Sequence, residues 1–227
     1  MKFSPTPQLV VFDMAGTTVQ EHNLVYKTIL KSFLHFNISI SLEKVLEIAA
    51  GKEKVKAIID ILEYKGIELD SHLIDSIYDF FKNTLSLGYS TNLIEPMYNI
   101  LEVFNYLKDQ DIYVALNTGY DASTANLILN KLNWQLGVHY DFLVTASDVV
   151  NSRPNPDMIL KAMEHFEIYN ASYVVKVGDS ITDIEEGKNA KCGYTIGMTT
   201  GAHTLNQLIT ANPDVVLSNP LDIILYI

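Results

Sequence analysis

Hydrophobic positions along this chain of 227 residues follow two different periods. Six short apolar runs, most rich in β-branched residues, read as buried strands: LVVFD at 9–13, IYVALN at 112–117, DFLVT at 141–145, YVVKVG at 173–178, YTIGM at 194–198 and DVVL at 214–217. Such near-continuous runs suit strands covered on both faces. Between most of them apolar residues recur at helical spacing, as at 122–132 and 156–166. Strands alternating with helices predict βαβ units and an α/β fold built on a parallel sheet. Ligands of such sheets bind beyond the carboxyl ends of the strands.

One stretch breaks the alternation. Residues 21–88 carry helical periodicity without a strand, with helices expected at 23–36, 41–49, 52–64 and 71–87. Gly66 and Gly88 stand where helix C-caps belong. A helical block that follows the first strand's loop and leaves through GYSTNLIEP (88–96) has the pattern of a cap hinged over an active site. The expected division is a core of 1–20 and 89–227 with a cap of 21–88.

Four chemically suggestive elements follow in order: Asp13 with the turn Gly16-Thr17-Thr18, NTGY at 117–120, Arg153 in NSRPNPDM, and GDSITD with Asp179 and Asp183. Each alone is a turn or helix-cap signal. Together they fall at one rim of one sheet. Arg153 is the single arginine among 16 basic residues. Its planar fork grips phosphate oxygens in a bidentate manner that lysine cannot copy. Phosphoryl transfer is mostly positioning and charge neutralisation. This assigns Asp13 as nucleophile, forming an aspartyl phosphate. Asp13 and Asp179, with Asp183 nearby, are the expected Mg²⁺ ligands. Thr17, Thr118, Gly119, Tyr120 and Arg153 are the expected phosphate and substrate contacts.

Composition narrows the class. A net charge of −11 argues against a nucleic-acid partner. No apolar stretch reaches the roughly 18 residues of a membrane span. The run before Asp13 is too short for a signal sequence, and the single cysteine, Cys192, fits a reducing compartment, so the expectation is a cytoplasmic protein. The histidines at 22, 35, 72, 139, 165 and 203 show no metal spacing and are expected to be mostly solvated; His22 lies nearest the hinge. Trp134 and Cys192 are expected in the core.

VFDMAGTTV, NTGY, SRPNPDM and VGDSITDIEEGKNA resemble the haloacid dehalogenase superfamily of hydrolases, and within it the phosphonatase branch, over nearly the whole chain. The resemblance implies Mg²⁺, a Rossmann-like core, a helical cap, a main-chain carbonyl from Ala15 on the metal, and a homodimer. In this branch alanine stands two residues after the nucleophile, where the superfamily's phosphatases carry a second aspartate. That aspartate protonates a departing alcohol, help worth roughly 10²–10⁴ in rate. It is dispensable if the leaving group is a carbon whose electrons flow into an iminium formed on a lysine.

The segment AAGKEKVKAIIDIL (49–62) offers that lysine. On a helical wheel Lys54 shares its side with Ala50, Ala57, Ile58 and Ile61, while Lys52 and Lys56 fall with Asp60 and Glu63. Desolvation would supply the neutral amine. The branch's pattern of a glycine with the Schiff-base lysine three positions on matches Gly51 and Lys54. Ala50 and Ala57 depart from it, standing where phosphonatases usually carry methionine and a proton-shuttling histidine. The substrate therefore stays open between phosphonoacetaldehyde, another small phosphonate and a phosphate ester. Rival readings are a phosphomonoester phosphatase without the second aspartate and a non-catalytic phosphate-binding protein. A metal-free dehalogenase would not need Asp179 and Asp183.

Overall fold

The computed structural model describes residues 2–91 and 93–227. Its centre is a six-stranded parallel sheet in the order β5-β4-β1-β6-β7-β8. The strands are β1 (Leu9–Asp13), β4 (Tyr113–Thr118), β5 (Phe142–Thr145), β6 (Val174–Gly178), β7 (Tyr194–Met198) and β8 (Val215–Leu217). All six strands lie within a residue of the stretches expected from the pattern. Strand alternation splits the core between the two sheet faces. Val10 and Phe12 join one apolar cluster, while Leu9 and Val11 join a second with Val144, Met158 and Ile159.

Two further strands, β2 (Val19–Gln20) and β3 (Glu95–Pro96), pair antiparallel. They hold together the two points at which the chain leaves the sheet for the helical block and returns. That block consists of α1 (Leu24–His35), α2 (Leu42–Ala49), α3 (Lys54–Tyr64) and α4 (Ser71–Thr91). Its apolar faces merge with the sheet, since Tyr26, Ile58 and Tyr89 belong to the same cluster as Phe12. The remaining helices are α5 (Ile100–Asp109), α6 (Ala122–Lys131), α7 (Asp157–His165), α8 (Ile181–Asn189) and α9 (Leu205–Thr210). No helix among the described residues is long and apolar enough to cross a membrane.

Two local expectations need correction. Helix α4 runs through Gly88 to Thr91, because a glycine in mid-helix weakens it without ending it. Asn92, inside the exit segment expected at 88–96, lies outside the described residues. Helix α3 starts at Lys54 rather than Lys52, because the Glu53 carboxylate caps it by accepting from the Val55 and Lys56 amides. Gly51 just before it has φ +72°, and a Cβ there would lie 2.3 Å from Ser180 Oγ. Only glycine lets this turn rest on the loop after β6.

Candidate active site

Asp13 is the last residue of the central strand and lies in register with Asn117 of β4. Strand β6 ends at Gly178, so Asp179 follows at the same rim. Gly16, at φ +88°, lets the turn after Asp13 pass so close that a Cβ would sit 2.5 Å from Asp179 Oδ2. Thr17 Oγ1 donates to Asp179 Oδ1 at 3.3 Å, while Thr18 Oγ1 donates to the Asp13 carbonyl at 3.0 Å. Asp183 sits in the first turn of α8, where its carboxylate accepts from the Ser180 amide and hydroxyl. Carboxylate oxygens of Asp13, Asp179 and Asp183 lie within 4.8 Å of one another.

Arg153 reaches this cluster from the loop after β5. Its Nη1 donates to Asp13 Oδ1 at 2.6 Å and lies 2.9 Å from Asp183 Oδ1. Its Nη2 donates to the Asn117 carbonyl at 2.8 Å and to Asn117 Oδ1 at 2.5 Å, and its Nε lies 2.9 Å from Glu186 Oε2. The guanidinium is thus clamped on its own protein partners beside the nucleophile. Lys176, fully buried in β6, donates to Asn117 Oδ1 at 2.7 Å and pairs with Asp183 at 3.0 Å and Glu186 at 3.3 Å. Asn117 Nδ2 in turn donates to both Glu186 oxygens. Lys176, Glu186 and the Asn117 side chain were not singled out by sequence reasoning. The signal was a lysine inside the apolar run VVKVG, since a charge in a strand covered on both faces must be paired.

Burial raises the carboxyl of Asp13 to about 6, with the Asp183 charge adding to it and Arg153 opposing it. Asp179 is raised well above the carboxylate range by burial and by the charges of Asp13 and Asp183. Burial also works against ionised Asp183, yet Arg153 and Lys176 hold its carboxyl low. Because this network is desolvated, cutting one member leaves its partner charge uncompensated. Lys176→Met is expected to destabilise the fold by about 3 kcal/mol. Chemical denaturation with an unchanged midpoint would contradict that.

The donor set fits a hard divalent cation. It is all oxygen and three carboxylates strong, and Asp183 Oδ1 is buried without an aligned hydrogen bond despite its two ion-pair neighbours. Ala15 borders a small cavity together with Asp13.

Lys54 also opens onto that cavity, with Asp13, Ala15, Gly51, Thr118, Gly119, Tyr120 and Arg153. The cavity is small, about 10 Å³, room for one water. Lys54 is 7% exposed, its Nζ donates to the Lys52 carbonyl at 2.5 Å, and it faces the Tyr120 ring at 5.1 Å. Burial lowers its pKa to about 8, against the raising charges of Glu53, Asp13 and Glu21. From Lys54 onward the expected wheel holds, since Ala57, Ile58 and Ile61 are buried while Lys56 pairs with Asp60; Ala50 and Lys52 precede the helix, yet Ala50 is buried and Lys52 also pairs with Asp60. Thr118 Oγ1 accepts from the Tyr120 amide at 3.2 Å, which leaves its own proton to donate. A Cβ on Gly119 would lie 2.7 Å from the Lys52 carbonyl, so the loop after β4 touches the turn that carries Lys54.

His22 lies on a separate polar cleft of about 340 Å³, with Gly16, Lys27 and Gly201. His203 departs from the expectation of solvated histidines: it is 3% exposed and accepts from the Ile181 amide. It is buried because the loop after β7 folds back over Asp179, whose carbonyl accepts from the His203 amide. Trp134 is buried as expected, whereas Cys192 is only half-buried because it ends the turn after α8.

A parallel α/β sheet with a carboxylate on the central strand end, two more after β6 and a clamped arginine defines a hydrolase site of one recognisable class. The family model for haloacid dehalogenase-like hydrolases matches residues 10–196, and the chain belongs to that family. Among curated relatives, the phosphonoacetaldehyde hydrolase of Latilactobacillus sakei subsp. sakei (strain 23K) is 32% identical over 204 residues, covering 84% of this chain and 75% of that one. The enzyme of the same name from Bacillus cereus (strain G9842) is 27% identical over 212 residues, covering 87% and 78%. The crystal structure of a phosphonoacetaldehyde hydrolase-like protein from Oleispira antarctica shares the fold with a TM-score of 0.82, at 23% identity, covering 98% of this chain and 92% of that one.

Proposed function

We propose that this hydrolase cleaves the carbon–phosphorus bond of a small phosphonate bearing an aldehyde, with phosphonoacetaldehyde as the leading candidate. The observation that carries the reading is a buried lysine with a lowered pKa in the same small cavity as Asp13 and Arg153. A phosphomonoesterase would need an acid for its leaving alcohol, and the position two after Asp13 is Ala15.

The Lys54 amine attacks the aldehyde carbon, and loss of water leaves an iminium. Asp13 then attacks phosphorus, the carbon–phosphorus bond breaks, and its electron pair flows into the iminium to give an enamine. Protonation at carbon and hydrolysis release acetaldehyde and free Lys54, while water cleaves the aspartyl phosphate. Asn117 and Glu186 hold the Arg153 guanidinium beside Asp13, where its positive charge stabilises the charge that builds on the phosphoryl group. Thr118 and the Gly119 amide stand at the same rim as further donors, whereas the hydroxyl of Thr17, also expected to contact phosphate, donates to Asp179. Asp13, Asp179, Asp183 and the Ala15 carbonyl would hold Mg²⁺, which when bound neutralises charge on the transferring phosphoryl group. The helical block of 21–88 acts as the cap, a role supported by the contacts of its Gly51 turn with Ser180 and Gly119.

Borohydride added with phosphonoacetaldehyde is expected to modify Lys54 covalently, read by peptide mass. Enzyme that turns over without such a product overturns the Schiff-base route. The rate of trapping is expected to rise with pH and level off above about 8, because the attacking species is the deprotonated amine. At pH 7 about one lysine in ten is then neutral, against fewer than one in a thousand for an ordinary side chain. A profile still climbing at pH 10 would assign the reaction to a solvated lysine.

A further inference from the structure

Glu21 is the buried carboxylate that the scheme above does not use. It follows hinge strand β2 and is 5% exposed. Its Oε2 accepts from Tyr89 Oη at 2.5 Å and from Tyr120 Oη at 3.0 Å, and the two hydroxyls lie 2.9 Å apart. Its Oε1 takes the Val25 amide at 3.5 Å. Hinge, α4 and the loop after β4 each supply one member. Tyr120 has the Glu21 carboxylate at its hydroxyl and Lys54 at its ring face. The charged and titratable groups around the pair are Tyr26, Tyr89, Glu53, Asp13 and Arg153. Position 57, on the buried side of α3 shared with Lys54, is alanine and offers no acid or base.

Forming an iminium from an ammonium and an aldehyde moves two protons from nitrogen to the departing oxygen, with no net uptake or release. Tyr120 lines the small cavity beside Lys54, which puts a protein group at hand to carry them. We propose that Glu21, acting through the Tyr120 hydroxyl, is the proton relay of the Lys54 centre. The inference rests on the Schiff-base reading. A Lys54 N–H bond breaks as an O–H forms at Tyr120, while the Tyr120 proton passes to Glu21 and leaves that carboxyl neutral. That proton returns by the same path to the alkoxide formed when the amine attacks, giving the carbinolamine hydroxyl; a second N–H proton then takes the path in turn, and its return to that hydroxyl releases water. Burial raises the Glu21 carboxyl above its ordinary range, so its basicity suits a proton it must also give back. Glu21 is a positioning residue here, acting through Tyr120, whose ring centroid lies 5.1 Å from Lys54 Nζ.

The test is the rate of Lys54 labelling by acetaldehyde and borohydride at pH 7, which reports iminium formation without phosphoryl chemistry. Glu21→Gln keeps the size and an acceptor oxygen for the tyrosines. Loss of the charge by itself would lower the Lys54 pKa and speed labelling. The relay predicts the opposite sign, a slowing of about 10²-fold. Beryllium trifluoride binding with Mg²⁺, which reads the Asp13 end, is expected to stay within about twofold as the control for folding. Tyr120→Phe keeps the ring against Lys54 and is expected to slow labelling equally, with the double variant no slower than either; it carries the test if Glu21→Gln does not fold. Labelling that is unchanged or faster in these variants overturns the relay alone. A wild-type enzyme that is never labelled overturns the relay and the Schiff-base reading together.

Discussion

Asp13→Asn is expected to lower phosphate release by about 10⁴-fold or more, the scale on which loss of a nucleophile is felt. The amide keeps the shape and an oxygen for Arg153 but cannot attack phosphorus. The fold should tolerate the change. Arg153 and Lys176 remain balanced by Asp183 and Glu186, and a carboxyl that burial already raises to about 6 is removed. Thermal unfolding should therefore show a Tm equal to or above that of the wild type, and beryllium trifluoride should no longer bind. Retained turnover in Asp13→Asn would remove the aspartyl phosphate from the mechanism.

Lys54→Met is expected to cut carbon–phosphorus cleavage by about 10³-fold or more while making the protein more stable. The methionine fills the same volume without a nitrogen. The lysine's folded pKa of about 8 lies below its ordinary 10.5. The unfolded chain therefore binds more protons, and burying the ammonium costs stability throughout the range below about pH 8. That cost shrinks as pH rises from 8 towards 10.5. At pH 7 the variant should gain on the order of 2 kcal/mol, after allowing for the lost bond to the Lys52 carbonyl and the contact with the Tyr120 ring. The gain should fade above pH 10. Denaturation curves at pH 7 and pH 10.5 read both signs. A destabilised variant at pH 7 would mean that Lys54 is a structural residue.

Much of this site was legible before any coordinates. Asp13, Thr118 and Asp179 fall where strands end, and strand ends are written in local runs of apolar residues. Lys54 was legible because a helical wheel needs only neighbours, and the charges at 52, 56 and 60 mark the opposite face. Helix α3 starts two residues later than its periodicity predicts because the capping carboxylate of Glu53 outweighs the spacing of the lysines. Helix α4 runs past Gly88, a stop signal in the local pattern, because its packing carries it on.

The chain by itself determined the α/β class, the helical insertion, the rim that carries the carboxylates and the residue types suited to phosphoryl chemistry. All of these rest on interactions between near neighbours. Only the tertiary structure decided which charges neutralise one another and which group faces Lys54. Arg153 meets Asp13 across 140 positions, Asn117 meets Glu186 across 69, and Tyr120 meets Glu21 across 99. Desolvation makes such pairings obligatory once the chain is packed, but it does not say in advance which partners will meet.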